Sequence, residues 1–366
     1  AMRNNNNPNF AQAIRNNPTR SAYDENSNTG YNIWLYEDLQ FNTIAAVKLY
    51  DYYGLDQWLK PEVSAKLNIL PVQGLSYTQT MGYELRQWEN QTYRWSTHQD
   101  EVSVNRNGTA YQGFSKTENI NAEGYFNYMN SFDKHNINAT LGYSYYERNS
   151  QGFNMTNYNF PVEATALWDI GTGSYNKLGQ ASLASSKDIT QKLLAYFARV
   201  NYDYDGKYIV SASYRRESSS KFAKNNRWGN FWSVSAGWRI SDEPWMENAS
   251  WIDDLKIRAA YGVTGNSDFS ASYASMSYGS DGYFMMPASG NYAIAYGPAV
   301  TLNPSLKWEE QLGWNFGLDF SLFDNRLYGK FDWYNRKVKD MLFSVSVPQP
   351  PYALTSQMQN IGNLRN

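Results

Sequence analysis

No cysteine occurs among the 366 residues, which excludes disulfides, thiolate zinc sites and a thiol nucleophile. Histidine is nearly absent as well. His98 falls in a long loop and His135 in a turn, and both read as surface residues rather than ligands. No apolar run approaches the roughly 18 residues that a membrane-spanning helix requires. The opening AMRNNNNPNF lacks the charged and apolar regions of a signal peptide. Neither sign of charge is in excess: 32 Lys+Arg face 34 Asp+Glu, a net charge of −2. Nucleic-acid binding through phosphate contacts therefore has no support. HExxH, GxSxG and P-loop patterns are missing. Asp203-Tyr204-Asp205-Gly206 starts like a calcium loop, but no acidic residue stands at its twelfth position, so it reads as a hairpin turn. The expectation is a protein that is not an enzyme and carries no cofactor or metal.

Aromatic residues are plentiful: 13 Trp, 31 Tyr and 17 Phe. Mean hydropathy is nevertheless well below zero. Amphipathic rings suit the boundary between an apolar layer and water. A membrane β-barrel, apolar outside and polar inside, keeps its average hydropathy low. A soluble carbohydrate-binding or hydrolytic β-protein is the competing reading, and strand periodicity decides between them.

From residue 61 onward, alternation is strict. One face of 194–204 carries Leu194, Tyr196, Ala198, Val200, Tyr202 and Tyr204, and the other carries Arg199, Asn201 and Asp203. Period 2 over such a length fits a tilted strand crossing a bilayer. Asp205-Gly206 then turns the chain into Tyr208, Val210, Ala212 and Tyr214. The same unit recurs at 63–83, 120–145, 232–263 and 312–333, giving about ten strands in all. Connections alternate between short (71–73, 129–133, 205–206, 241–254, 323–326) and long (87–116, 148–191, 217–229, 265–307). That asymmetry belongs to outer-membrane barrels, with short turns at one rim and long loops at the other. Charged Arg199, Lys207, Arg215, Lys256, Arg258 and Lys330 fall on the inward faces, which a wet or polar-filled barrel tolerates and a sandwich core does not. A solvated one-sided antiparallel sheet is the plainer alternative. Residues 1–60 read as an irregular Asn-rich loop and barrel entry, with breaks at Asn7-Pro8, Asn17-Pro18 and Asp24 to Gly30. Residues 61–366 read as all-β transmembrane barrel with long extracellular loops.

Several blocks resemble the SusC/RagA family of TonB-dependent outer-membrane transporters. They are GKYIVSASYRRESSSKF (206–222), NNRWGNFWSVSAGWRISDEPWM (225–246), LKIRAAYGVTGNSDF (255–269), the run from NPSLKWEEQLGW to NRKVKDML (303–342), and NIGNLRN (360–366). They stand in the family's order. The resemblance implies a 22-stranded barrel with an N-terminal plug, and a SusD-like surface lipoprotein over its mouth. It implies uptake of glycans, or in some members oligopeptides, driven through TonB by way of the plug. It also implies a dimer of transporter–lipoprotein pairs in the outer membrane of a Gram-negative bacterium. No plug, TonB box or closing C-terminal strands are found in this sequence, so it reads as an internal stretch of a longer protein.

The long loops carry aromatics beside amides and carboxylates, a combination that suits sugar rings, peptides or a protein partner. Trp88, Trp95, Trp168 and Tyr283 are the candidates for substrate or partner contact, with Tyr273 among the further loop aromatics. Internal loop packing is the plain alternative for each. Trp232, Trp238, Trp245, Trp314 and Trp333 read as membrane-interface anchors in contact with outer-membrane lipid. The leading expectation is a TonB-energised glycan importer. Oligopeptide import and a passive porin or adhesin built on the same barrel are the alternatives.

Overall fold

The computed structural model describes residues 14, 19–32, 42–176, 181–269, 278–285, 292–298, 301, 303–349, 352 and 354–366. Asn7-Pro8, Asn17-Pro18 and Tyr273 lie outside the described residues. The main element is a 12-stranded sheet. Its strands are β1 (Tyr50–Leu59), β2 (Glu62–Asn68), β3 (Leu75–Arg94), β4 (Thr109–Phe132), β5 (His135–Tyr158), β6 (Ser182–Tyr204), β7 (Tyr208–Ser219), β8 (Trp228–Arg239), β9 (Ile252–Asn266), β12 (Glu309–Leu322), β13 (Leu327–Lys339) and β16 (Asn363–Arg365). From β3 onward it is a meander in chain order, with β1 and β2 both paired to β3. Two hairpins, β10 (Tyr278–Met285) with β11 (Tyr292–Pro298) and β14 (Leu342–Ser346) with β15 (Ser356–Asn360), form separate two-stranded sheets. Short helices α1 (Thr43–Lys48) and α2 (Gln99–Val102) complete the regular structure. Among the described residues the strand order is open, ending on β1 and β16.

All ten anticipated strands are present, and β1 and β16 join them. Strand β1 escapes a periodicity search because neither face of YDYYGLDQWL is apolar, and β16 is only three residues long. The long connections are shorter than the sequence implied. Strands β4 and β5 run for 24 residues each, and their loop-ward extensions are polar on both faces, so they carry no alternation to read. The turns behave as their chemistry demands. Asp205 and Gly206 adopt φ of 55° and 70°, the left-handed pair that a tight hairpin needs. Asp133 and the run Phe323-Asp324-Asn325 also adopt positive φ.

The chain divides into two compact units. The first comprises residues 1–60, 84–119 and 149–188. Its core is Tyr93, Ala110, Phe160 and Ala166.

The second unit comprises 61–83, 120–148 and 189–366, and its sheet inverts the usual burial rule. In β7 the exposed residues are Tyr208, Val210, Ala212, Tyr214 and Arg216, while Ser211, Ser213 and Arg215 are half-buried. Register places Tyr208 opposite Trp238, Val210 opposite Ala236, Ala212 opposite Val234 and Tyr214 opposite Trp232. The face continues through Tyr261, Trp314, Phe316 and Trp333, whose successive ring centroids lie 4.4–5.8 Å apart from Trp232 onward. On this face Tyr214 and Trp232 form an aromatic pair towards the long loops. A second aromatic row lies at the short turns (Tyr204, Tyr208, Trp238). On β7 and β8 six residues, about 20 Å of strand, separate the two, with Val210, Ala212, Val234 and Ala236 between them, and on the neighbouring strands Tyr261, Trp314, Phe316 and Trp333 fill the intervening levels.

The opposite face is polar and cross-linked. The Arg258 guanidinium donates from Nε and Nη2 to the two oxygens of Asp319, both at 2.8 Å, and reaches Asp332 at 3.2 Å. Ser213 and Ser233 hydroxyls lie 2.7 Å apart, and Ser211 Oγ donates to Asn201 at 2.6 Å. Gly317 sits opposite Arg258 in the register. A Cβ there would lie 2.6 Å from Arg258 Cζ, so only glycine lets the guanidinium lie across the strand to Asp319. Gly317→Val is expected to lower stability by about 1–3 kcal/mol, as overpacking does. In the full-length protein this appears as heat-modifiable migration on SDS gels lost at lower temperature, and an unchanged transition would show that Arg258 moves aside freely.

At the short-turn rim, Glu243 ties the second aromatic row together. Its Oε1 accepts from Tyr208 Oη at 2.6 Å and from Trp238 Nε1 at 2.9 Å. These two bonds, Tyr208's first, hold the carboxyl below the usual carboxylate range. A depressed folded pKa contributes stability that is present above the unfolded value of about 4.3 and is lost as pH falls through the folded value. The melting midpoint in detergent should therefore fall more steeply below pH 4 in the wild type than in Glu243→Gln, and the two should converge at low pH. Parallel pH profiles would sink the assignment.

Candidate functional site

In the first unit the segments 95–108 and 159–176 are stitched to each other. Ser96 N donates to Glu163 Oε1 at 2.8 Å, and Asn107 N to Asn159 Oδ1 at 2.7 Å. Asn107 Nδ2 donates to the Phe160 carbonyl at 2.7 Å, and Gln112 Nε2 to the Leu167 carbonyl at 2.9 Å. Glu101 anchors the first segment from a fully buried position. Thr109 Oγ1 donates to it at 2.8 Å, and Arg106 Nε lies 3.2 Å away. Gly108, at φ +83°, lies where a Cβ would collide with the Tyr93 ring.

His98 corrects the surface reading. It is 5% exposed, and its Nδ1 accepts from Asp100 N at 3.2 Å to cap α2. Burial, foremost, depresses its pKa, against a pull upward from Asp100. Alternation could not reveal this, because the residue is buried by loop packing and not by a strand. His135 is half-buried, with Nδ1 2.7 Å from the Tyr202 hydroxyl.

The candidate contact residues stand in different settings. Trp95 packs edge-on against Tyr93, itself edge-on to Phe160, and donates from Nε1 to Asp51 at 2.8 Å. Its ring is used inside the loop assembly. Trp88 lies on β3 opposite Asp56 of β1, not in a loop. It lines a cleft of about 340 Å³ with Tyr111, Phe114 and Phe153. Trp168 projects from the second segment at 86% exposure, and Val162 of the same segment is also exposed. Tyr283 lies on β10 opposite Ile294. Trp232, Trp238, Trp314 and Trp333 all stand on the exposed apolar face of the second unit, and Trp245 is exposed in the turn after β8.

A further cavity, of about 450 Å³, lies at the long-loop end of the polar face in the second unit. Phe231 and Trp308 line it, edge to face at 5.2 Å, and Trp308 Nε1 is fixed to the Arg227 carbonyl at 2.8 Å. Arg215 Nε donates to Glu217 at 2.5 Å. Lys221 Nζ donates to the Phe269 carbonyl at 2.9 Å, over that residue's ring. Burial pulls the Lys221 pKa down while Asp268 opposes it. Sequence reasoning missed this cavity, because its residues come from separate stretches around Gln191, Arg215 to Lys221, Phe231, Thr264 to Asp268 and Trp308 that only the sheet register brings together. Among the described residues, no group of three or more acidic or histidine side chains could hold a metal ion.

The family profile described as TonB dependent receptor-like, beta-barrel matches residues 2–366. TonB-dependent receptor P39 of Formosa agariphila is 31% identical over 306 residues, covering 80% of this chain and 27% of that protein. TonB-dependent receptor SusC of Bacteroides thetaiotaomicron is 35% identical over 176 residues, 48% of this chain and 17% of SusC. The structure of the RagAB peptide transporter superposes with a TM-score of 0.76 at 24% identity, over 89% of this chain and 34% of that one, a likeness of fold. The chain thus spans about a quarter of the length of the first of these curated relatives. It belongs to the TonB-dependent receptor-like β-barrel family and is of the SusC/RagA type.

Proposed function

We propose that this chain is barrel wall from an outer-membrane active importer, energised through TonB and working with a SusD-like surface lipoprotein to bring in glycans. Members of its family are transporters rather than enzymes. The observation that carries the proposal is the inverted sheet. Its exposed face is apolar and banded with aromatics, and its other face is polar and ion-paired, as a bilayer outside and a wet or plugged lumen inside require. In this reading Trp232, Trp238, Trp314 and Trp333 sit at the membrane interfaces, and the long loops face the cell exterior. Trp168, held out from a stitched loop pair, suits contact with the lipoprotein or with a sugar face.

Uptake separates active import from a passive pore. In cells expressing the full-length transporter and its lipoprotein, accumulation of a labelled oligosaccharide should stop when TonB is deleted or the proton gradient is collapsed. Uptake that survives both treatments would overturn the importer in favour of a porin, and uptake confined to labelled peptides would replace glycans with oligopeptides. Trp168→Ala should leave the melting midpoint unchanged, as exposed sites do. It should weaken capture of lipoprotein or glycan by roughly fivefold or more, the ~1 kcal/mol of an interface aromatic. Equal binding by the wild type and the variant would remove Trp168 from the contact surface.

A further inference from the structure

Two adjacent arginines on β7 have opposite fates. Arg215 points to the polar face, where Glu217 neutralises it. Arg216 points to the exposed apolar face, opposite Asn230 of β8 and Tyr196 of β6. No carboxylate pairs with it among the described residues. It is held in place all the same: its guanidinium lies 5.0 Å over the Trp228 ring, and Trp228 stacks on Tyr196 at 6.3 Å. The position is two residues beyond Tyr214, on the long-loop side of the aromatic row. Strand β13 repeats the arrangement. Lys337 lies on the face of Trp333, four residues towards the loops, and pairs in register with Arg365 of β16. Neither has an ion-pair partner among the described residues. Lys192 is also on this side but is already occupied by Glu147 at 3.1 Å, and Lys339 faces Glu310 in the register.

The sign of charge reverses at the other rim. There the group just past the aromatic row is the Glu243 carboxylate, which holds Tyr208 and Trp238. The apolar face of the second unit is therefore edged with unneutralised cations at its loop rim and with an acid at its turn rim. An arginine beside a lipid-facing belt is costly without an anion, and guanidinium forks match phosphate oxygens.

We propose that Arg216, with Lys337 and Arg365 as a second patch, binds the phosphate groups of the phosphorylated glycolipid in the outer leaflet of the outer membrane. This rests on the membrane placement proposed above. Trp228 and Tyr196 hold the Arg216 side chain up at headgroup level, and Tyr214 and Trp232 mark the boundary beneath it.

The test uses the full-length transporter, purified from outer membranes in mild detergent. Mass spectrometry should show glycolipid retained by the wild type and at least threefold less on Arg216→Gln/Lys337→Gln, with Arg216→Lys intermediate. Adding purified lipopolysaccharide should raise the wild-type melting midpoint more than that of the double variant, and dephosphorylated lipopolysaccharide should have little effect. Equal retention by wild type and variant, or equal stabilisation by the dephosphorylated lipid or by phosphatidylglycerol, overturns the proposal. If the double variant does not fold, the comparison of phosphorylated with dephosphorylated lipid on the wild type decides alone. Fractionation answers separately: a protein absent from the outer membrane would sink the placement itself, whereas one present there with unchanged glycolipid would sink only the phosphate site.

Discussion

Backbone hydrogen bonding is the constraint on which the rest of this structure depends. Where water is excluded, each N–H and C=O must find a partner within the protein, and for strands only continuous pairing with neighbours provides it. The meander from β3 to β13 does this with short connections at one rim, tightest at Asp205-Gly206. Once pairing is fixed, each side chain's direction follows from its register, because a slip of one residue would turn every apolar group to the wrong side. The alternation of Tyr208, Val210, Ala212 and Tyr214 with Ser211, Ser213 and Arg215 is thus a consequence of pairing as much as a sequence pattern.

The polar face meets a different demand. Charges such as Arg258 are met with good geometry by carboxylates on the next two strands, Asp319 on β12 and Asp332 on β13. Glycine makes that geometry possible: at 317 the missing side chain leaves the lane through which the guanidinium crosses from β9 to β12. The hydroxyl pairs between Ser213 and Ser233, and between Ser211 and Asn201, tie neighbouring strands together on the same side.

The ten strands were legible in the sequence because two-residue periodicity and turn chemistry agreed at each hairpin. The parts that escaped share a physical cause. Strand β1 and the extensions of β3, β4 and β5 have polar residues on both faces, so pairing there leaves no mark in composition. His98 looked like a loop surface residue, and its burial depends on a cap and on packing that no local pattern encodes. The aromatic loop residues were found, but their division of labour was not. Trp95 hydrogen-bonds inside the assembly while Trp168 stands in the open, and only the cross-loop bonds reveal which is which. The cavity beside Trp308 was invisible for the same reason.

The stitching of segments 95–108 and 159–176 has a further consequence. Loops of such length would ordinarily lose conformational freedom when something docks on them, and that loss subtracts from affinity. Here Glu163, Asn107, Asn159 and Gln112 fix the two segments to each other before any encounter. The entropy of ordering is spent during folding instead of at binding. Anything that docks on a surface prepared in this way meets a shape already set, and leaves it without the loops having to refold.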